Sequence, residues 1–133
     1  MPEELLPENV RNFVLAKIPT VLQLEALLHL RAAYPRFLAV AEVARPLGLD
    51  DATAREQLRE LQSCGLARAE TIAESAFAYT SESPEQDRTV HDLADAYRTR
   101  RVSVINAICA GPVERIRTFA DAFRLRSQKE TPP

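Results

Sequence analysis

Glycine is scarce: the chain has three in 133 residues. None stands in a run, so the sequence holds no glycine-rich loop of the kind that cradles phosphates. Histidine and cysteine are scarcer still. His29, His91, Cys64 and Cys109 form no CxxC or Cys/His grouping, which excludes a zinc site of familiar spacing. His29 reads as an ordinary helical histidine. Glu3, Glu4 and Glu8 occupy the start, where a secretory leader needs basic residues and then an apolar run. The two cysteines are therefore expected to be reduced thiols of a cytoplasmic protein. Lys17, Glu25, His29 and Arg31 interrupt the most hydrophobic region, so no stretch reaches the length of a membrane span. No carboxylate stands with a histidine or nucleophile in a catalytic pattern, and Cys64 has no cationic sequence neighbour to stabilise a thiolate. Neither an enzyme nor a cofactor or metal is expected.

What remains is an ordinary globular composition, 46% hydrophobic and 27% charged, suited to one domain with a moderate core. The net charge is -2, so any contact with nucleic acid must be local. The charge is unevenly placed. Residues 1 to 85 hold 8 Lys and Arg against 13 Asp and Glu, and the remainder holds 9 against 6.

Along the chain, Val10, Phe13, Val14 and Ile18 recur at helical spacing until Pro19. Thr20 is placed to cap a second helix running to about Ala33, whose apolar stripe includes Leu24, Leu27, Leu28 and Leu30. From Phe37 onward the pattern predicts two short helices separated by a tight turn. Val40, Val43, Ala44 and Leu47 face inward, Gly48 permits a left-handed turn, and Asp50 caps the next helix. Pro46 predicts that the first of the pair is short or kinked. In the second, Ala54, Leu58 and Leu61 at i, i+4 and i+7 point inward, which leaves Thr53, Arg55, Glu56 and Arg59 outward. Gly65 ends it. Residues 66 to 81 then alternate weakly, with Leu66, Ile72, Phe77 and Tyr79 as the larger apolar members and a reversal at Glu74-Ser75, predicting a two-stranded hairpin.

The stretches AEVARPLGLD and DATAREQLRELQSCGL, followed by that hairpin, resemble the winged helix-turn-helix superfamily of small bacterial regulators, similar to its MarR and ArsR groups. The resemblance covers about residues 20 to 81. It implies that residues 51 to 63 form a recognition helix with Thr53, Arg55, Glu56 and Arg59 on a DNA face, and that Arg68, Glu74 and Ser75 belong to a wing. The charge of these segments runs against the usual pattern for phosphate contact. Asp50, Asp51, Glu56 and Glu60 outnumber Arg55 and Arg59, and the wing offers Glu70 and Glu74 against Arg68.

Residues 82 to 88 read as a polar linker. After it, Val90, Leu93, Tyr97, Val104 and Ile108 predict a helix of about five turns, with Cys109 as a small core residue, ending before Gly111-Pro112. Val113, Ile116, Phe119 and Phe123 predict a last helix before a tail from 128 to 133. The expected architecture is mainly helical: a winged helix-turn-helix domain over residues 1 to 81, then a helical hairpin over 89 to 127. The hairpin either folds back or forms a homodimer through Tyr97, Arg101, Val104, Ile108, Phe119 and Phe123. Arg101 on the Tyr97–Val104 line predicts a paired or interfacial arginine. The functional expectation is a transcriptional regulator binding duplex DNA as a dimer. The alternative is a winged-helix module that binds another protein.

Overall fold

The computed structural model describes residues 6 to 70 and 73 to 111. Helix α1 (Glu8–Lys17) leads into α2 (Val21–Ala33), whose first turn is closed by the Thr20 hydroxyl accepting from the Gln23 N–H at 3.1 Å. Strand β1 (Leu38–Ala39) is followed by α3 (Val40–Leu47), α4 (Asp51–Ser63), β2 (Ala67–Ala69), β3 (Ala76–Tyr79), α5 (Pro84–Thr99) and α6 (Arg101–Gly111). The chain is thus mostly helical with a small antiparallel sheet, compatible with a winged-helix fold. Leu24, Leu27 and Leu30 of α2 are wholly buried, and α3, α4 and β3 pack against that helix.

Both helices of the central pair stop in the same way. At α3 the Leu49 N–H donates to the Ala44 carbonyl past Gly48 at φ +68, and at α4 the Leu66 N–H donates to the Leu61 carbonyl past Gly65 at φ +79. Each is a helix end that requires a left-handed residue. Pro46 lies inside the two-turn α3.

Three expectations about the elements are corrected. The sheet has three strands in the order β1-β3-β2, because Leu38 and Ala39 pair with Phe77 and Ala76. A two-residue strand has no periodicity of its own and exists through its partner. The expected linker 82–88 is instead largely the start of α5: the Ser83 hydroxyl accepts from the Gln86 N–H, Pro84 takes the first position, and Glu85 and Asp87 favour the positive helix end. The expected single five-turn helix is broken at Arg100, at φ −134 and ψ 54. No glycine or proline marks that break. On either side of it Tyr97 donates to Glu25 Oε2 at 2.9 Å and Arg101 Nη2 reaches the same oxygen at 3.4 Å.

Cys109 is exposed rather than buried, since Val104 and Ile108 point inward at i and i+4 and the next residue turns away. Both cysteines are free thiols. Ile72, Phe119, Phe123 and the expected last helix lie outside the described residues. Val90, Leu93, Tyr97, Val104 and Ile108 share one buried cluster with α1, α2 and α4. Among the described residues no single helix is long and apolar enough to cross a membrane.

Further polar ties join distant elements. Lys17 Nζ donates to the Cys64 carbonyl at 2.9 Å and meets Glu82 Oε1 at 3.1 Å, joining α1 to the end of α4. The Tyr79 hydroxyl donates to Asp87 Oδ1, and Arg31 sits 5.8 Å from the Tyr79 ring centroid and 3.5 Å from the same carboxylate. Burial and the Asp87 carboxylate together push the Tyr79 phenol up to about 12.

A Cβ at Gly65 would overlap the Glu82 carboxylate, whereas one at Gly48 meets nothing. Gly48→Ala should cost about 1–2 kcal/mol of backbone strain. Gly65→Ala should cost more, and a Glu82→Ala background should shrink the difference; urea midpoints of the four variants measure it. The Tyr79 phenol ionises near 12 in the folded chain against 10.0 ordinarily, so the native state keeps a proton that the unfolded chain gives up. Its contribution to stability is therefore full below about pH 10 and declines as pH rises toward 12. Tyr79→Phe should flatten that decline in urea midpoints recorded across the same range.

Candidate nucleic-acid interface

The candidate site is built on α4. Ala54, Leu58 and Leu61 are fully buried against α2 and α3, so the orientation of the opposite face is set by core packing. Asp50 Oδ1 accepts from the Thr53 N–H at 3.1 Å and fixes the first turn. Hydrogen bonds from Thr53 hold the Asp50 carboxyl below its ordinary range. Asp50 thereby serves the helix end rather than a ligand.

Of the expected face, Thr53 and Arg55 are half-buried, while Glu56 and Arg59 are exposed. The wing stands directly against this face. Glu74, in the left-handed region at φ +56, takes both arginines: Arg55 Nε donates to its backbone carbonyl at 3.3 Å and Arg59 Nε to its Oε1 at 2.6 Å. These pairs lie 19 and 15 positions apart, so no helical spacing announced them. The acidic character of Glu74 was visible in the sequence; its attachment to α4 was not.

Arg68 on β2 is exposed, with its guanidinium 4.9 Å from the Phe37 ring centroid. That is a cation–π contact in which the planar group lies along an aromatic face. Ser75 is exposed, and its carbonyl accepts from the Val40 N–H at 3.1 Å, tying the wing to the start of α3. Arg36 and Arg45 add two exposed cations beside β1 and on α3 that the sequence reasoning did not single out. Arg36 lies 3.6 Å from Glu42, whose carboxylate also accepts from the Ala39 N–H at 2.8 Å. Thr53, Arg55, Glu56, Arg59 and Glu74 are thus brought together, with Arg68 one strand away.

The expected C-terminal interface residues divide differently. Tyr97, Val104 and Ile108 are buried within their own chain. Burial and the bond to Glu25 raise the Tyr97 phenol above its ordinary value. Arg101 is a paired arginine, stacked 4.5 Å from the Tyr97 ring centroid and facing Glu25. A cleft of about 620 Å³ opens where α2 ends, β3 ends and α5 begins, but Arg31, Tyr79 and Asp87 in its wall already face one another. Among the described residues no group of His, Cys, Asp and Glu is placed to hold a metal ion.

No protein-family model matches the chain, and no curated protein does. The chain is similar to a solved structure that describes a mechanism for regulation of DNA binding of Bordetella bronchiseptica BpsR by 6-hydroxynicotinic acid. The identity is 19%, the match covers 92% of this chain and 86% of that one, and the TM-score is 0.46.

Proposed function

We propose that the chain is a winged-helix transcriptional regulator that lays α4 in the major groove of duplex DNA and acts as a homodimer in the bacterial cytoplasm. The observation that carries this reading is the presentation of α4. A 13-residue helix, capped at its start and pinned by three buried side chains, offers its polar face beside a β-wing. Such a helix fits the groove, and arginine is the side chain that most often reads guanine there.

The dimer reading rests on the outer side of α1 and α6. Val102 of α6 is 69% exposed, and a groove of about 220 Å³ between α1 and α6 is lined by Leu6, Leu15, Ala107 and Ala110 together with Arg11, Ser103 and Asn106. In a two-fold pair each copy brings one α4, and dimeric readers of this kind bind half-sites about one DNA turn apart.

A second reading is favoured by the acidic surface. Asp51, Glu56, Glu60 and Glu70 are all exposed, and Arg59 is matched by Glu74. That surface suits a basic protein partner as an adaptor would present it.

Selection of genomic fragments, then titration of the best and of a scrambled fragment at two salt concentrations, tests the regulator reading. Arg55→Ala should weaken binding to the selected fragment by about 1–3 kcal/mol. Equal affinity for selected and scrambled DNA would transfer the function to the adaptor reading. Sedimentation equilibrium should give twice the 14.9 kDa chain mass, and Val102→Glu should shift it toward the single-chain value.

A further inference from the structure

Arg55 and Arg59 stand one turn apart on the same helix, where two like charges repel. Glu74 lies between them and treats them differently. Arg59 receives the carboxylate, through a contact of 2.6 Å that matches its charge. Arg55 receives the neutral backbone carbonyl, through its Nε alone. A guanidinium has five N–H donors, so this bond leaves four donors and the whole charge on Arg55.

We infer that Glu74 divides the two arginines into a reader and a strut: Arg55 is the side chain that reaches DNA, and Arg59 holds the wing against α4. This rests on the DNA-binding reading and deepens it. Three observations carry it together. Arg55 occupies the N-terminal half of α4, the part of a recognition helix that meets base edges. It is also half-buried and held at Nε, so its terminal nitrogens are pre-organised, whereas a free arginine loses rotamer freedom on binding. Finally, Glu74 is a non-glycine residue at φ +56, a conformation that persists only where its surroundings over-determine it. The surroundings here are the two arginines, one on its carbonyl and one on its carboxylate.

A consequence follows for electrostatics. With Arg59 matched, the phosphate-directed charge of α4 comes down to Arg55 among exposed acids, so wild-type binding has a shallow salt dependence. Glu74 sets that value. Glu74→Gln removes the carboxylate charge and keeps the backbone carbonyl that holds Arg55.

The test compares Arg55→Ala, Arg59→Ala, Glu74→Gln and the Arg59→Ala/Glu74→Gln pair on the selected fragment across a salt series. The expected result is a loss of tenfold or more for Arg55→Ala and of less than threefold for Arg59→Ala. Glu74→Gln should tighten binding at low salt and steepen the log–log salt slope by about 0.9, the share of one added phosphate contact. The double variant should return to the wild-type slope. Equal losses for the two arginine variants, or an unchanged slope in Glu74→Gln, would overturn the division. A DNA-free arm separates this from the function itself: in ¹⁵N spectra the Nε–H signals of Arg55 and Arg59 should both be protected in the wild type. Glu74→Ala, which removes the side-chain acceptor and keeps the backbone carbonyl, should abolish protection at Arg59 and spare Arg55. Loss at both positions, or at neither, overturns the strut whatever the DNA result. If no fragment is selected at all, the regulator reading and the reader role fall together, and the Nε–H signals still decide the strut.

Discussion

Burial of one leucine stripe on α2 is the constraint from which the rest of the structure follows. Leu24, Leu27 and Leu30 are wholly enclosed, and enclosing a leucine contributes roughly 1.5–3 kcal/mol. Three elements must therefore cover that helix, and α3, α4 and β3 do so. Once Leu58 and Leu61 are committed to the same core, α4 has no freedom to rotate about its axis. Its polar face is aimed by the apolar face behind it. The ends of α2 are tied as well: Thr20 closes the first turn, and Arg31 meets Asp87 of α5 near the other end. In between, Glu25 gathers Tyr97 and Arg101 from the two sides of the α5–α6 break.

The candidate interface combines a rigid frame with a sparing use of positive charge. Its frame comes from two glycine-terminated helix ends and a three-stranded sheet anchored at Val40 and Ser75. Its charge is modulated by Glu74, which touches both α4 arginines from the wing. A segment counted by formal charge is acidic, yet the spatial pattern is finer than the count. One guanidinium is matched by a carboxylate and the other only by a carbonyl dipole. The distinction matters because phosphate attraction follows net charge, whereas base recognition follows donor geometry.

Much of this arrangement was legible along the chain. Thr20, Gly48, Asp50 and Gly65 marked helix boundaries because capping and left-handed turns depend on a few adjacent residues. The inward positions of α4 followed from a 3.6-residue period. Ser83-Pro84-Glu85 carried the start of α5 in the same local language, although the polarity of the stretch reads equally as a linker. By contrast, β1 is two residues long and is defined by hydrogen bonds to a strand 37 or more positions away. The break at Arg100 carries no proline or glycine, so the apolar positions Tyr97 and Val104 on its two sides read as one helix with Arg101 on their line.

The sequence by itself determined α1 to α4, the caps of α2 and α4 and the faces those helices bury, because those depend on residues within a turn or two of one another. It also nominated Arg55, Arg59 and Glu74 by type and position. Only the tertiary structure decided how these three divide a charge between them, that Tyr97, Val104 and Ile108 are covered by their own chain, and that a third strand completes the wing. Each of those outcomes joins residues distant along the chain, and such contacts are set by how the packed elements orient one another, a quantity that no local spacing encodes.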